Sequence, residues 1–594
     1  MQNAETVLGV IQNYGKQGKP LERIYRLLYN PELYLRAYAR MYSNKGAMTP
    51  GTTGETVDGM SLAKIEAIIE DIRHERYRWT PAKRVYIPKK NGKQRPLGIP
   101  TWSDKLLQEV MRQVLEAYYE PQFSDLSHGF RPNRGCHTAL SYVQFNGKGT
   151  KWFIEGDISQ CFDKLDHQVM LSILQEKIHD NRFLWLVENM LKAGYLEDWR
   201  WNATHSGSPQ GGVISPILSN IYLDKLDKYV ETILIPEHTK GGKRGRNPIY
   251  RHLEYKRRMT RRAGEHEQAK AIRKKMRQTP YVDATDPEYR RLRYTRYADD
   301  FLLPFAGPKE EAEKIKARLG EFLRDKLKLE LSQTKTLITH ASTQAARFLG
   351  YEIDVQYVND WIDTNGERNI NGAIALRLPK AVLDEKCKQY EKEGKPMHRP
   401  ELLLNSDYDI VNRYQAEYRG VAQYYLLAHN VSWLNQLRWT METSLLKTLA
   451  NKHKSTVTAM ATKYKAEAKT PHGTMKCLKV VIERGDSKKP LIAQFGGIPL
   501  RRVKTAKLED QRTKTFRTNR SELITRLLAN ECELCGSTRE CKVHHIRKLA
   551  DLKIKGRAEK PTWVRRMAAL RRKTLVVCQP CHEAIHAGRP TGEE

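Results

Sequence analysis

The sequence contains no long apolar run. No stretch approaches the roughly 18 consecutive apolar residues that a membrane-spanning helix requires, and residues 1–20 show no apolar segment of the signal-peptide kind. Solenoid-type repeats and long low-complexity tracts are absent as well. We therefore expect a cytoplasmic protein with no membrane partner, built from packed domains rather than from repeats.

Acidic residues are scarce relative to basic ones. The 594 residues include 69 Asp and Glu against 103 Lys and Arg, which gives a formal net charge of +34. Solubility alone is usually served by a charge of roughly 2–8 on a small domain, whereas a surface this basic concentrates polyanions. The balance therefore indicates a nucleic-acid partner. At roughly 150 residues per domain, the length predicts about four domains.

Paired cysteines occur only near the C-terminus. Cys532-Glu-Leu-Cys535 and Cys578-Gln-Pro-Cys581 are two C-x-x-C pairs. In a reducing compartment such pairs indicate a metal site rather than disulfides, and four thiolates in this arrangement match one tetrahedral structural Zn²⁺. The five cysteines that we interpret as packed thiols are Cys136, Cys161, Cys387, Cys477 and Cys541.

Hydrophobic periodicity predicts helices and strands along the chain. Residues 21–42 show the spacing of an amphipathic helix, and β-prone runs around Asn91 predict a hairpin. From 151 to 353, short strands alternate with helices in an α+β pattern. The basic insertion 236–293 is either a solvated helical face or a surface that contacts phosphates. An apolar stripe within 408–450 predicts a helical bundle.

Two acidic motifs carry the strongest chemical signal. Asp157 ends the apolar run that begins at Phe153, and Asp299 and Asp300 sit before the apolar run that begins at Phe301. Adjacent carboxylates on a turn between apolar strands repel each other and require a cation. If the two motifs meet, their oxygens can hold two Mg²⁺ ions about 4 Å apart, which activate an attacking 3′-hydroxyl and stabilise leaving pyrophosphate.

A glycine-rich segment lies between the acidic motifs. Residues 206–220 read Ser-Gly-Ser-Pro-Gln-Gly-Gly-Val-Ile-Ser-Pro-Ile-Leu-Ser-Asn. Its glycines let the backbone approach a ligand closely, and the helix that follows presents free N–H groups. A Gly-rich loop is only moderately specific by itself, and its position between the two acidic motifs makes it informative.

The order of these motifs resembles the fingers and palm of reverse transcriptases. Within that group the chain is similar, from about residue 21 to its end, to the proteins encoded within group II introns. The segment 127–136, Ser-His-Gly-Phe-Arg-Pro-Asn-Arg-Gly-Cys, is characteristic of the same family. The resemblance implies a multidomain α+β protein: a right-hand polymerase with fingers, palm and helical thumb, plus a small zinc-containing ββα-metal nuclease-like module.

The resemblance implies a role for each residue of the polymerase motifs. Asp157 and Asp299 match the two main metal ligands, and Asp300 matches a supporting acid. Phe162 matches the aromatic gate that excludes the 2′-hydroxyl of ribonucleotides. Gln210 matches the motif that lines the nascent base-pair pocket.

Three basic residues match contacts to the incoming nucleotide. Lys89 and Arg95 match finger residues that grip the triphosphate through charge-assisted bonds, and Lys335 matches a lysine near the leaving pyrophosphate. Without the resemblance, an ordinary surface position is an equally good interpretation of each.

Histidines near the paired cysteines resemble the HNH nuclease motif. In that motif His545 is the general base that activates water, while His544, His582 and His586 are ligands of a divalent ion at the scissile phosphate. The middle Asn of the motif, expected just before Cys578, is missing, and Thr574 is the nearest polar substitute. The alternative is a zinc-stabilised DNA-binding knuckle without nuclease activity.

The function implied is target-primed reverse transcription in intron mobility, or retrohoming. The protein would bind intron RNA and assist its splicing, cleave a DNA target, and copy the RNA from deoxynucleoside triphosphates. The alternatives are a splicing maturase without active polymerase, and an RNA-dependent RNA polymerase, which the Pro-Gln-Gly loop and Phe162 oppose. The domains implied are an N-terminal extension with the start of the fingers (1–82), fingers and palm (83–355), a thumb or maturase domain (356–455), a basic DNA-binding connector (456–525) and an HNH zinc module (526–594).

Overall fold

A computed structural model describes most of the chain. The described residues are 3–44, 46–88, 92, 94–197, 200–202, 211–283, 286–357, 372–484, 489–508, 521–552 and 560–591. Lys89 and Gln210, two of the predicted nucleotide-binding residues, lie outside these ranges.

The N-terminal segment is helical and packs on the first long helix of the segment that follows. Its elements are α1 (Ala4–Lys16), α2 (Pro31–Met41), β1 (Met60–Ser61) and α3 (Leu62–Arg73). Both α1 and α2 contact that long helix, Trp102–Tyr119, whose residues are buried along nearly its whole length. The N-terminal segment is therefore an integral layer of the fold.

The helical spacing over 21–42 is confirmed for its second half, but it does not correspond to a single helix. The structure instead has a short 3₁₀ turn, Tyr25–Tyr29, and then α2. Pro31 has no N–H and its ring blocks continuation of a preceding helix, whereas the first position of a new helix accepts it. Asn30 marks the break, because its side-chain oxygen accepts a hydrogen bond from the Glu32 N–H at 3.0 Å.

Residues 82–357 form two sheets surrounded by helices, and their last two strands form a third sheet with the strand Ala373–Arg377 that follows. The strands are β2 (Ala82–Pro88), β3 (Gln94–Ile99), β4 (Trp152–Asp157), β5 (Tyr195–Glu197), β6 (Arg200–Asn202), β7 (Arg291–Leu292), β8 (Thr295–Tyr297), β9 (Asp300–Ala306), β10 (Ile338–His340), β11 (Ala346–Phe348) and β12 (Tyr351–Gln356). The helices are α4 (Trp102–Tyr119), α5 (Cys136–Asn146), α6 (Cys161–Lys164), α7 (His167–Gln175), α8 (Asn181–Lys192), α9 (Ser215–Tyr229), α10 (Ile235–Glu237), α11 (Pro248–Arg262), α12 (His266–Gln278) and α13 (Lys309–Leu327).

The two sheets divide the predicted motifs between them. In the first sheet the order is β3-β2-β5-β6, and β2 with β3 form the antiparallel hairpin that the sequence predicts around Asn91. In the second the order is β10-β4-β9-β7, with β8 paired to β9. Because β4 carries Asp157 and the β8–β9 hairpin carries Asp299 and Asp300, the second sheet brings both acidic motifs together.

The basic insertion is a helical hairpin of α11 and α12. The two helices pack against each other, and α11 has no buried residue at all. Ile249, Tyr255 and Met259 are exposed apolar side chains among its arginines. The hairpin therefore presents a basic surface with aromatic and aliphatic groups on it.

Residues 372–508 contribute helices and short strands to a second core, which also includes residues of α5, β4, β9, β11 and β12. The elements are β13 (Ala373–Arg377), α14 (Lys380–Lys388), β14 (Glu391–Lys392), β15 (Lys395–Pro396), α15 (Asp407–Tyr424), α16 (Leu434–His453), α17 (Val457–Tyr464), β16 (Lys465–Thr470), β17 (Gly473–Ile482) and β18 (Leu491–Gly496). The apolar stripe of α15 faces α16, as its spacing predicts, with Val411, Tyr414 and Tyr418 fully buried. The sheet β16-β17-β18 packs on α15 in the same core.

The C-terminal module is joined to the N-terminal segment by a shared sheet. Its elements are α18 (Glu522–Ala529), β19 (Cys541–His545), α19 (Thr562–Leu570), β20 (Thr574–Cys578) and α20 (Gln579–Ala587). The strand order is β1-β19-β20, so that Met60 pairs with Val543. Helix α18 also contacts α2, and the apolar residues of both ends belong to one continuous core.

The described helices include none that is both long and apolar enough to cross a membrane. Even the long α4 and α16 carry polar or charged residues along their length.

Candidate active sites

The β8–β9 hairpin places its acidic residues beside the end of β4. Tyr297 and Asp300 face each other across the turn, so that Ala298 and Asp299 are its two central residues. Ala298 has a φ of +55°, the left-handed value that a tight two-residue hairpin turn requires. On the other side of β9, Asp157 is the backbone partner of Asp300. Two residues far apart in the sequence therefore end up on adjacent strands.

A buried arginine holds this turn in place. The fully buried Arg296 guanidinium donates to Asp227 Oδ1 at 2.7 Å and to Oδ2 at 2.6 Å, and a third bond reaches the Ala298 carbonyl at 2.8 Å. Asp227 is also fully buried, and it lies on α9, the helix that follows the glycine-rich loop. A charged pair of this kind fixes geometry because either charge alone would be costly in the interior.

The segment 127–136 packs under the same turn. A side chain on Gly129 would place its Cβ 2.4 Å from the Ala298 nitrogen, so only glycine fits. Two backbone hydrogen bonds join the same segments. The His128 N–H donates to the Arg296 carbonyl at 2.9 Å, and the backbone N–H of Arg296 donates to the Leu126 carbonyl at 2.8 Å. The Ser-His-Gly-Phe-Arg-Pro motif thus supports the acidic hairpin from below.

The electrostatics of the three aspartates favour a bound cation. Burial raises the pKa of Asp299, and burial together with the charges of Asp299 and Asp157 raises the pKa of Asp300 to about 7. Lys335 donates to both oxygens of Asp157, at 2.9 and 3.0 Å, and this bond raises the lysine pKa. A divalent ion bound by the carboxylate oxygens would offset the repulsion between these negative charges and favour their ionised forms. The donor set therefore fits magnesium.

Other predicted nucleotide-binding residues lie around this site. Phe162, on α6, is half-buried with its ring centroid 6.2 Å from that of Phe130. Arg95 is exposed on β3, and its charge acts on the Asp299 carboxylate. At the edge of the described part of the glycine-rich loop, a Cβ on Gly211 would lie 2.6 Å from the Gly98 carbonyl, so this loop packs closely on β3.

The four paired cysteines come together as predicted. Their sulfur atoms all lie within 4.8 Å of one another, in the cluster Cys532, Cys535, Cys578 and Cys581. Cys541 is adjacent on β19 but is not in that cluster, and burial raises its pKa to about 11. A compact set of four sulfur donors fits the tetrahedral coordination of zinc.

A second cluster contains three of the predicted nuclease histidines and an aspartate from the other end of the chain. Its members, Asp58, His544, His582 and His586, have ligand atoms within 4.8 Å of one another. Among the described residues, two groups of possible metal ligands have all their ligand atoms within 4.8 Å of one another: this cluster and the four cysteines. The carboxylates of Asp157, Asp299 and Asp300 do not form such a group.

The buried His544 is the best indication that this cluster binds an ion. Its side chain is only 6% exposed; its Nε2 makes no hydrogen bond to a described residue, and its Nδ1 lies 3.3 Å from Asp58 Oδ1 without the geometry of a hydrogen bond. Leaving such groups unpaired is costly in a protein interior. A metal ion bound to one of the nitrogens would remove this cost, so the cluster fits a divalent ion.

His545 lies on the opposite face of β19 from His544. Successive side chains of a strand point to opposite faces, and His545 Nε2 is 2.8 Å from the Tyr38 hydroxyl on α2. Burial lowers the pKa of His545 to about 3, which keeps its ring neutral. The structure therefore brings His544, His582 and His586 together, and it separates His545 from them.

Asp58 is a site residue that the sequence did not reveal. The Thr574 side chain, expected to replace the missing Asn, instead accepts a hydrogen bond from Arg526 at 3.0 Å. Asp58 reaches the cluster through the pairing of β1 with β19, across 487 residues of sequence from His545. Its short Val-Asp-Gly context resembles any surface turn, so no local signal was available.

Three known protein families match successive parts of the chain. The reverse transcriptase (RNA-dependent DNA polymerase) family matches residues 87–249. The type II intron maturase family matches residues 374–513, and an AI2M/AI1M-like HNH endonuclease family matches residues 532–582. These matches follow one another along the chain in the predicted order: the first includes Asp157 and Phe162, and the third includes the four paired cysteines with His544, His545 and His582.

Similarity to individual proteins extends over nearly the whole chain. Group II intron-encoded protein LtrA of Lactococcus lactis subsp. cremoris is 40% identical over 95% of this chain and 95% of its own. The uncharacterized 91 kDa protein in cob intron of Schizosaccharomyces pombe is 34% identical over 100% of this chain and 74% of its own. Protein YkfC of Escherichia coli is 35% identical over 56% of this chain and 83% of its own. With this extent of similarity and the three domain matches, the chain belongs to the group II intron-encoded proteins and is a reverse transcriptase and maturase with an HNH endonuclease domain.

Proposed function

We propose that this protein performs target-primed reverse transcription of the intron RNA whose splicing it assists. Its C-terminal nuclease cleaves one strand of a DNA target, and its polymerase extends the 3′-hydroxyl so produced with deoxynucleoside triphosphates. The observation that carries the polymerase part is the pairing of Asp157 with Asp300 on adjacent strands, beside Asp299 in the turn. Cleavage and extension in one chain suit this sequence of reactions, because the first supplies the substrate of the second.

In this proposal the three aspartates hold the reacting groups of polymerisation. Asp157 and Asp299 are the main ligands of two Mg²⁺ ions and Asp300 supports them, and the bound ions would lower the pKa of the 3′-hydroxyl and neutralise charge on the phosphates. Lys335, which contacts both oxygens of Asp157, stands near the leaving pyrophosphate. Arg95, with Lys89 and Gln210 outside the described residues, completes the nucleotide site.

We further propose a right-hand division of the chain. The extension 1–82 and the β2–β3 hairpin belong to the fingers side, the β4–β9 sheet is the palm, and the helical core around α15 and α16 is the thumb. The segment 456–525 is a DNA-binding connector, and its sheet packs on the thumb core. The net charge of +34 supports contacts to RNA and DNA phosphates, with the α11–α12 hairpin as one RNA-contacting surface.

For the C-terminal domain, we propose zinc on the four cysteines and a catalytic divalent ion on His544, His582 and His586. His545 remains the proposed general base. This role rests on the resemblance alone, because His545 is buried on the other face of β19 from the ion ligands, its Nε2 is bonded to Tyr38, and burial lowers its pKa to about 3. The nine cysteines form no disulfide, which supports a reducing, cytoplasmic environment.

Replacing His544 with Ala tests the coupling of the two activities. We expect loss of DNA-strand cleavage, and therefore of cDNA primed at the cleaved target, because an ion ligand is removed. Extension of a DNA primer already annealed to an RNA template should continue at the wild-type rate, since the polymerase site is untouched. Both reactions are measured on denaturing gels with full-length protein bound to its intron RNA.

The matched control is His179→Ala, which removes an exposed histidine between α7 and α8. It should retain both reactions. Cleavage that persists in the His544 variant would place the nuclease site away from this cluster, whereas absence of cleavage by the wild-type protein would favour the alternative of a DNA-binding zinc knuckle.

Replacing Phe162 with Ala tests the proposed selection of deoxynucleotides. The aromatic ring excludes the 2′-hydroxyl by occupying its space, so its removal should raise ribonucleotide incorporation by about 10–100-fold, the range that one steric group in a pocket can provide. Incorporation is measured by single-nucleotide primer extension with matched ribo- and deoxynucleoside triphosphates. Phe145→Ala, at an exposed position, is the control. Unchanged selectivity in the Phe162 variant would remove the assignment of this residue as the gate.

A further inference from the structure

The two ends of the chain meet at the nuclease cluster. The Gly59 N–H donates to the Val543 carbonyl at 3.0 Å, and Met60 and Ser61 continue this pairing along β19. Gly59 has a φ of +76°, a left-handed value that turns the chain just before the strand. The result is that Asp58, immediately before this turn, projects its carboxylate among the histidines of the C-terminal domain.

The Asp58 carboxylate contacts every histidine of the cluster. Oδ2 lies 2.7 Å from His586 Nε2, and Oδ1 lies 3.3 Å from His544 Nδ1 and 3.4 Å from His582 Nε2. Oδ1 also accepts the backbone N–H of His545 at 2.7 Å. One carboxylate thus occupies the centre of three imidazoles.

We propose that Asp58 is a ligand of the nuclease ion, so that the nuclease site is assembled from both ends of the chain. This inference rests on the proposed function of His544, His582 and His586 as ion ligands. A carboxylate oxygen with imidazole nitrogens is a usual donor set for divalent transition metals. Asp58 is the member of the cluster that supplies an oxygen ligand, and Thr574 does not fill this place because it is bonded to Arg526.

The burial of the cluster agrees with an ion site that is open on one side. The Asp58 and His582 side chains are 13% and 14% exposed, whereas His586 is 53% exposed. A catalytic ion needs protein ligands on one side and an accessible position for substrate or water on the other. The exposed side at His586 is where a scissile phosphate could approach.

The position of Asp58 is set by packing over a wide area rather than by one turn. Helix α18 packs on α2, and the Tyr38 hydroxyl bonds His545 on the far face of β19. The apolar residues of the N-terminal segment and the C-terminal domain form one core. Asp58 is therefore presented to the histidines only while the C-terminal domain is docked on the N-terminal segment. In this arrangement the docking of the two segments also completes the nuclease.

The test is the affinity of the zinc-loaded, full-length protein for Ni²⁺, measured by titration calorimetry in excess Mg²⁺. Imidazole sites prefer Ni²⁺, whereas all-oxygen sites such as the polymerase aspartates suit Mg²⁺. Loss of groups that merely support a metal ligand weakens affinity about 10–100-fold. We therefore expect Asp58→Ala to weaken Ni²⁺ binding at least about tenfold.

Three further variants make the result interpretable. Asp58→Asn retains the size of the side chain and its bond to the His545 N–H, and it should weaken Ni²⁺ binding as well because the charge is gone. His586→Ala removes a proposed ligand and should weaken binding independently. Asp71→Ala, an exposed acid of α3, should bind Ni²⁺ like the wild type. Zinc content and the thermal unfolding profile verify that each variant is folded.

The outcomes separate this inference from the function on which it rests. If the Asp58 variants bind Ni²⁺ like Asp71→Ala while His586→Ala binds weakly, the ion site stands and Asp58 is not a ligand. If the Asp58 variants bind Ni²⁺ more tightly or cleave DNA faster than the wild type, the Asp58 carboxylate competes with the ion for the histidines. This result would overturn the inference. Wild-type affinity in His586→Ala as well would overturn both the inference and the proposed ion site.

Discussion

Replacing Asp299 with Asn should reduce cDNA synthesis by at least about a thousandfold. The substitution keeps the shape of the side chain but removes a charged oxygen ligand from a site where ions supply several kcal/mol of transition-state stabilisation, and each ~1.4 kcal/mol corresponds to a factor of ten. The rate is measured by primer extension on an RNA template in Mg²⁺.

Assistance of splicing should survive the same substitution. The substitution keeps the shape of the Asp299 side chain, which lies in the turn after β8, whereas α15 and α16 lie in the maturase-matched part of the chain. Splicing of the intron RNA by the Asp299 variant should match that of Asp325→Asn, an exposed acid at the end of α13. Equal loss of splicing and cDNA synthesis would contradict separate sites. Normal cDNA synthesis would contradict the role of Asp299 itself.

Replacing Arg296 with Met should destabilise the acidic hairpin by about 3–5 kcal/mol. Removing one partner of a buried ion pair leaves the other charge uncompensated, here the fully buried Asp227. The bond from Arg296 to the Ala298 carbonyl is lost as well. A chain of several domains does not unfold in one step, so the measurement is hydrogen exchange of the backbone amides at 295–306.

A double replacement distinguishes charge from packing in this prediction. In Arg296→Met combined with Asp227→Leu no charge remains unpaired, so part of the lost protection should return. Arg318→Met is the control, because its exposed ion pair with Glu237 contributes only about 0–1 kcal/mol. Protection in the Arg296 single variant equal to that of the Arg318 control would show that the pair does not hold the turn.

The polymerase site was predictable because its chemistry is local in sequence. An aspartate at the end of an apolar strand and two aspartates in a hairpin turn are each visible within a dozen residues. Strand geometry then requires that their carboxylates lie at sheet ends. The sequence did not show what holds this turn in place. Arg296 pairs with Asp227, which lies on α9, and no local pattern links the two residues.

Strand alternation could have improved the nuclease prediction. His544 and His545 are adjacent on β19, and adjacent side chains of a strand face opposite ways. Only one of the two can therefore join His582 and His586, which are one helical turn apart on α20. The sequence could not say which, because this depends on the face that α20 covers.

The sequence by itself determined which donor groups this protein carries: carboxylates that suit magnesium, two cysteine pairs that suit zinc, and histidines that suit a further divalent ion. These follow from residue types at short spacings, where backbone geometry leaves few choices. Only the tertiary structure decided how Asp58 reaches the histidines and why Tyr38 covers His545. Such contacts depend on two strands 480 residues apart pairing within a common core, and the energy of that pairing comes from apolar burial spread over both ends of the chain.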